Sequence, residues 1–319
     1  MTRLPTLGRR ALLAMMAASG TAAMLAPALS PAQTLSSVPT GESGRPGLRT
    51  IPSTGEQVPA VGLGTWITFN VGDDGILRDE CADVMAAFFR AGGRMIDSSP
   101  MYGSSQGVIG HGLRKLGHPQ ALFSADKVWV SSPAAGPGQI EESRRLWEIA
   151  RFDLLQVHNL LSWERHLETL FAMKAEGRLR YVGITTSEGR RHSEVERIMA
   201  VHPLDFVQVT YNVLDREVEQ RILPLARERR IGVIVNRPFR QGSLTRTLKG
   251  ESLPDWAAEI GTATWAQFLL KFIVSHPAVT CAIPATTQVA HVTENMAASR
   301  GPLPDEAMRR RMAAFVEDI

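Results

Sequence analysis

From residue 48 onward, two kinds of hydrophobic pattern alternate along the chain. Short continuous apolar runs are typical of strands buried on both faces, whereas apolar residues at helical spacing, such as Val84 and Phe88, indicate amphipathic helices. Strands are predicted at 60–65, 94–98, 121–130, 152–158, 181–186, 206–211, 232–236 and 279–284. Helices are predicted between them at 79–91, 140–150, 163–176, 193–200, 218–230 and 264–275.

The order of these elements predicts the fold class. Strands that alternate regularly with helices favour a closed (β/α)8 barrel over residues 48–319, with a short hairpin before it and a helical extension after it. The alternative is an open doubly wound sheet, which would have a G-x-G-x-x-G fingerprint after its first strand. Gly62 and Gly64 end the first strand, but no third glycine follows, so the barrel is favoured.

The first residues predict an export signal. Arg9 and Arg10 form a twin-arginine pair before an alanine-rich run, and small residues near 26–32 suit cleavage. A membrane anchor is the alternative, but the run is shorter than the ~20 strongly apolar residues a stable span needs. Residues 1–32 are therefore predicted to be a cleaved signal and 33–47 a flexible lead-in. We expect export of the folded protein to the periplasm.

Charge and cysteine content exclude several function classes. The formal charge is +3, but residues 1–32 carry three arginines and no acid, so cleavage leaves 32 basic against 32 acidic residues. A neutral chain has no excess positive field for nucleic acid. Cys81 and Cys281 allow at most one disulfide, and two buried, unpaired thiols are the favoured alternative.

Four reactive side chains lie at or near the ends of predicted strands, where barrel active sites form. Asp97 and His158 end two strands, Lys127 lies in a third, and Tyr102 follows Asp97 by five residues. A nearby ammonium lowers the pKa of a phenol from about 10, so Tyr102 can donate a proton near neutral pH. His158 can hydrogen-bond a carbonyl oxygen. This set is suited to protonating an alkoxide as hydride reaches carbon.

Each of these residues also has a structural interpretation when it is taken singly. A metal centre is a further alternative, but it would need more Asp, Glu or His at strand ends and no adjacent lysine, so no metal is expected.

The motifs resemble the aldo-keto reductase superfamily from about residue 48 to the C-terminus. The resemblance is carried by the 62–66 strand, Asp97 with Tyr102, Lys127, the 153–158 strand, Gln208, and 283–284 followed by 294–295. It implies a (β/α)8 barrel and NAD(P)H-dependent reduction of an aldehyde or ketone. Asp97, Tyr102, Lys127 and His158 match the family's catalytic tetrad.

The resemblance also assigns cofactor positions, with several departures from the family pattern. Thr185 and Thr186 replace the usual Ser-Asn pair, and Asn236 and Arg237 stand where many members place an aromatic residue against the nicotinamide. Arg237 and Phe239 are the candidates to replace that aromatic residue. The implied cofactor-binding set is Gly64, Thr65, Asp97, Thr185, Thr186, Gln208, Asn236, Arg237, Pro238, Phe239, Ser243, Ala285, Thr286, Thr287, His291, Glu294 and Asn295.

Ala285 and His291 occupy positions where well-studied members place a lysine and an arginine for the 2′-phosphate of NADP. NADP(H) is still favoured over NAD(H) on family grounds. Trp66 is expected to line the substrate pocket beside Tyr102 and His158. Trp129 is a further candidate for the pocket wall, with packing as its alternative.

Three loops, 67–77, 131–138 and 244–260, are expected to shape the pocket, and the last is either a lid or a surface helix. A monomer acting on a small carbonyl or alcohol is expected. The alternative function is a nicotinamide-binding, redox-responsive module with little turnover.

Overall fold

The computed structural model describes residues 47–319. The predicted signal at 1–32 and all of the predicted lead-in except Gly47 lie outside the described residues. The described part begins with an antiparallel hairpin made of β1 (Leu48–Thr50) and β2 (Gln57–Pro59).

Eight parallel strands follow the hairpin and confirm the predicted (β/α)8 barrel. They pair in sequence order from the first to the last. The ring closes where the Gly62 amide donates to the Ala282 carbonyl at 2.8 Å and the Gly64 amide donates to the Pro284 carbonyl at 3.0 Å. The strands are β3 (Leu63–Gly64), β4 (Met95–Asp97), β5 (Phe123–Val128), β6 (Leu154–His158), β7 (Tyr181–Thr185), β8 (Phe206–Thr210), β9 (Gly232–Asn236) and β10 (Val279–Ala282).

Helices connect the strands and extend the C-terminus. They are α1 (Gly75–Arg90), α2 (Ser105–Lys115), α3 (Gly136–Trp147), α4 (Trp163–Ala175), α5 (His192–Val201), α6 (Ile222–Glu228), α7 (Ser243–Thr247), α8 (Trp265–Val274), α9 (Val289–Ala297) and α10 (Glu306–Glu317). Helix α1 begins earlier than residue 79 because the Asp74 carboxylate caps the amides of Ile76 and Leu77.

Helix α2 was not predicted from the sequence, because its glycines lower helix propensity and break up the apolar pattern. The structure shows what one of these glycines allows. A Cβ on Gly110 would lie 2.0 Å from the Leu146 carbonyl oxygen, so the absence of a side chain lets α2 pack closely on α3.

Alternate residues of each strand pack into two separate cores. On β6, Leu154 belongs to a cluster inside the barrel, whereas Leu155 belongs to the larger cluster between strands and helices. Phe123, Tyr181 and Phe206 fill the interior as an aromatic group, with ring centroids 5.6–6.3 Å apart. Burial on both faces is what the continuous apolar runs predicted.

The hairpin closes the end of the barrel opposite the carboxyl ends of the strands. Ile51 and Val58 are fully buried in the interior cluster. Between β1 and β2, the Glu56 carboxylate accepts hydrogen bonds from the Tyr181 hydroxyl at 2.6 Å and from the Arg180 guanidinium. These contacts hold the hairpin against the barrel wall.

The segment 244–260 packs mainly against neighbouring helices. It contains α7 and a 3-10 turn at Asp255–Ile260, with Leu248 and Ile260 buried. Trp256 packs against Phe268 and Phe315. These contacts fit the alternative of a surface helix, while Thr245 of the same segment lines the cavity at the carboxyl ends of the strands, so the lid stays an alternative.

Two smaller findings concern the same part of the chain. Cys81 and Cys281 are buried and unpaired. Among residues 47–319, no helix combines the length and the apolar composition that a membrane crossing requires.

Candidate active site

A cavity of about 750 Å³ opens at the carboxyl ends of the strands. Its wall includes Asp97, Tyr102 and His158, and Lys127 lies buried directly beneath. The four residues that the sequence assigned to catalysis therefore converge on one hollow, because neighbouring parallel strands bring their ends together.

A buried ion pair lies at the base of this site. The Lys127 ammonium on β5 lies 2.5 Å from the Asp97 carboxylate on β4 and donates a second hydrogen bond to the Ser98 carbonyl at 2.7 Å. Both side chains are almost completely shielded from solvent. Burial is the largest single effect and lowers the pKa of Lys127, but the charge and hydrogen bond of Asp97, together with the charges of Tyr102 and Asp126, more than offset it, so the pKa lies above its ordinary value.

Two amides complete the partners of Asp97. Gln208 on β8 donates to its second oxygen at 2.9 Å, and Gln156 on β6 donates to the same oxygen at 3.3 Å. Gly183 on β7 leaves the space that Gln156 needs, because a Cβ there would lie 3.1 Å from the glutamine Cγ. Gln156 was not predicted from the sequence to have a role, although strand alternation from His158 points it into the barrel.

Tyr102 lies above the ion pair. The Lys127 ammonium is 5.1 Å from the centre of the phenol ring. Burial raises the pKa of Tyr102, and although the Lys127 charge lowers it, burial has the larger effect. The predicted lowering of this pKa is therefore wrong for the protein alone, because the sequence did not reveal how completely the ring is shielded from water.

His158 ends β6 at the cavity wall. Its ring meets the Tyr102 ring edge-on, with centroids 5.7 Å apart, and its Nδ1 lies 2.7 Å from the Ser99 hydroxyl. Burial, reinforced by the Lys127 charge, lowers the pKa of His158 to about 2. The imidazole is therefore neutral at physiological pH and can act as a hydrogen-bond donor through a single nitrogen.

Most of the residues assigned to the cofactor line the cavity. Those that do are Gly64, Thr65, Asp97, Thr185, Gln208, Asn236, Arg237, Pro238, Phe239, Ala285, Thr286, His291, Glu294 and Asn295. Thr186, Ser243 and Thr287 do not. The Ser243 hydroxyl instead donates to the Arg240 carbonyl at 2.8 Å within its own loop, and the buried Thr186 carbonyl accepts from the Asn236 amide at 2.9 Å.

The two tryptophans assigned to the substrate pocket have different positions. Trp66 lines the cavity, and the Arg237 guanidinium lies 5.6 Å from its ring centre. Trp129 lies outside the cavity wall and is 39% exposed. Its backbone pairs with the Gln139 side chain, which fixes the end of β5 against α3. Trp129 therefore forms no part of the cavity wall.

Several cavity residues were not identified from the sequence. Glu188 and Arg190 come from the loop after β7, and Glu188 pairs with Arg237 at 2.5 Å. Trp265 packs against Phe268 and also lines the cavity. The sequence signal that could have identified these three residues was their position, since two follow a strand, one begins α8, and the loops at this end of a barrel form the site.

Among residues 47–319, no group of three or more His, Cys, Asp or Glu side chains lies close enough together to hold a metal ion. Besides the carboxylates of Asp97, Glu188 and Glu294, the polar groups that line the cavity include hydroxyls, amides and guanidinium groups, which suit an organic ligand with phosphate and carboxamide groups.

Comparisons with known proteins agree with this geometry. The chain is 25% identical over 216 residues to aldo-keto reductase YhdN of Bacillus subtilis, a match that spans 63% of this chain and 64% of that protein, less than two thirds of its length. It is 27% identical over 230 residues to the NADH-specific methylglyoxal reductase of Escherichia coli, covering 62% of this chain and 68% of that protein.

The fold of this chain is also similar to that of a protein of known structure. The crystal structure of an aldo/keto reductase from Klebsiella pneumoniae in complex with NADP and acetate has a TM-score of 0.71 and 25% identity, and the match covers 84% of this chain and 94% of that one. Residues 60–314 match the Aldo/keto reductase family model. The chain belongs to the aldo/keto reductase family.

Proposed function

We propose that this protein is an NAD(P)H-dependent oxidoreductase that reduces an aldehyde or ketone to an alcohol, or catalyses the reverse reaction. One observation carries the proposal: Tyr102, the Lys127–Asp97 ion pair and His158 converge on one cavity. A buried ion pair is a poor source of stability, so its position beneath a phenol is better explained by chemistry.

The cavity fits a nicotinamide nucleotide. Thr185, Gln208 and Asn295 offer hydroxyl and amide groups for the carboxamide and the adenine, while Gln241 and Gly242 offer a loop for the phosphates. When bound, the dihydronicotinamide supplies hydride to the carbonyl carbon.

Tyr102 has the role of general acid in this proposal. The phenol is protonated at neutral pH, and because burial raises its pKa, transfer of its proton to the substrate oxygen depends on stabilisation of the phenolate. The Lys127 ammonium then stabilises the phenolate that the transfer leaves, and Asp97 keeps that ammonium in place. Neutral His158 donates a hydrogen bond that orients the oxygen.

NADP(H) is the proposed preferred cofactor. The Klebsiella structure was determined with NADP, and Thr286 and His291 lie in the cavity where they can hydrogen-bond a phosphate. The preference is expected to be modest, because Ala285 brings no charge and the Escherichia coli relative is NADH-specific.

The replacement Tyr102→Phe tests the proposed function. It removes the proton donor but keeps the ring against His158, so we expect carbonyl reduction across an aldehyde and ketone panel to fall by about 10²-fold or more. Nucleotide binding, followed by quenching of tryptophan fluorescence, should be retained. An unmutated protein that binds nucleotide and turns over no member of the panel would contradict the proposal and favour a binding module.

A further inference from the structure

Ser99 makes a buried contact to the proposed catalytic histidine. Its hydroxyl lies 2.7 Å from His158 Nδ1, and its side chain is fully buried. It lies just past the end of β4, two residues after Asp97, and does not line the cavity. Ser99 therefore reaches the chemistry only through His158.

The hydrogen bonds around Ser99 indicate which atom carries each proton. The Met101 amide donates to the Ser99 hydroxyl oxygen at 3.2 Å. If His158 Nδ1 also donated to that oxygen, the hydroxyl proton would have no partner among the hydrogen bonds that the structure describes. A buried, unpaired donor costs free energy, so the favoured arrangement has the hydroxyl donating to Nδ1.

The neutral state of the imidazole completes the argument. Because the pKa of His158 is lowered to about 2, the ring carries one proton at neutral pH. With Nδ1 accepting, that proton must be on Nε2. No described residue hydrogen-bonds Nε2, and His158 lines the cavity.

We propose that Ser99 is a positioning residue that fixes the ring of His158 with its proton on Nε2, ready to donate to a substrate oxygen. This inference rests on the proposed function for its consequence in catalysis. The placement of the proton is a property of the protein alone and can be tested without substrate.

The first experiment is nitrogen NMR of the full chain, with the His158 resonances assigned by their loss in His158→Gln. We expect an unprotonated Nδ1 and a protonated Nε2 in the unmutated protein. Ser99→Ala should move the Nδ1 resonance downfield, because a hydrogen-bond donor is lost. A proton on Nδ1, or an Nδ1 resonance that Ser99→Ala leaves in place, would overturn the proposal.

Ser98→Ala is the matched control for this spectrum. Ser98 is the adjacent serine and is equally buried, but within the described residues its hydroxyl has no hydrogen-bond partner. The His158 resonances should be unchanged in Ser98→Ala. Equal shifts in the two variants would show a general structural effect and overturn the specific role of Ser99.

Kinetics supply the second readout. Ser99→Ala should lower kcat/KM for the carbonyl by about three- to tenfold with unchanged nucleotide affinity, and Ser99→Thr, which keeps the hydroxyl, should restore most of it. Full activity in Ser99→Ala would overturn the role in catalysis. An unmutated protein without turnover would refute the proposed function, while the NMR result would still decide the position of the proton.

Discussion

The Lys127 ammonium and the Asp97 carboxylate form an ion pair at 2.5 Å inside the barrel, where both side chains are almost completely shielded from water. Taking two charges out of water is costly, and only close pairing and further hydrogen bonds offset that cost. Gln208 and Gln156 provide those bonds to Asp97. Burying either charge without the other would therefore destabilise the folded protein more than burying the pair does.

A double-mutant cycle tests this dependence. Lys127→Met and Asp97→Asn should each lower the free energy of unfolding by about 3 kcal/mol, because each leaves its partner buried without a counter-charge. The double variant should lose clearly less than the sum of the two. Urea unfolding of the four proteins gives the comparison, and additive losses would show that the two groups do not depend on each other.

Acid should destabilise the protein through His158. Its folded pKa of about 2 lies below the ordinary value of 6.5, so the unfolded chain binds more protons between these limits and stability falls as the pH drops below 6.5. Between pH 6.5 and pH 5 this group should cost about 2 kcal/mol.

The measurement is urea unfolding at both pH values, for the unmutated protein and for His158→Gln. The variant has no titrating ring at this position, so its loss on acidification should be smaller by about that amount. Equal losses in the two proteins would contradict a buried, neutral His158.

Glu56 should contribute to stability from the other end of the barrel. Its carboxylate contacts Arg94, Arg180 and Tyr181, and its side chain is only 21% exposed. Glu56→Gln should lower the free energy of unfolding by about 1–2 kcal/mol, since charge-assisted bonds to a partly buried group are lost. Thermal unfolding should show a lower Tm.

Glu306→Gln is the matched control for Glu56. Glu306 pairs with Arg310 on the surface of α10, and its side chain is 77% exposed. Such exposed pairs contribute little, so the Tm should hardly change. If Glu306→Gln lowered the Tm as much as Glu56→Gln, the hydrogen bonds and ion pairs of Glu56 would contribute no more to stability than an exposed surface pair.

The cofactor preference should respond to residue 291. His291 lies at the cavity wall, 3.2 Å from the Thr286 hydroxyl. His291→Arg adds a permanent positive charge there, so the ratio of kcat/KM for NADPH over NADH should rise by about tenfold. Val289→Arg adds the same charge outside the cavity wall and should leave the ratio nearly constant. A similar rise in both variants would indicate a general field rather than contact with the phosphate.

The sequence by itself determined the barrel and the convergence of the tetrad. Apolar runs buried on both faces give parallel strands, and parallel strands in a ring bring Asp97 and His158 to one end whatever the details of packing. The glycine-rich helix α2 was not predicted, because the need for glycine at position 110 arises from close contact with the neighbouring helix α3. The export signal stays a prediction.

Only the tertiary structure decided how the site is tuned. The direction of the Tyr102 pKa depends on how burial compares with the Lys127 charge, and the sequence pattern measures neither. The contact of Ser99 with His158 joins residues 59 positions apart, and Trp129 lies outside the cavity wall, with its backbone held by Gln139. Sequence periodicity places a residue on a face of its own element, whereas electrostatics and orientation depend on the neighbours that folding brings together.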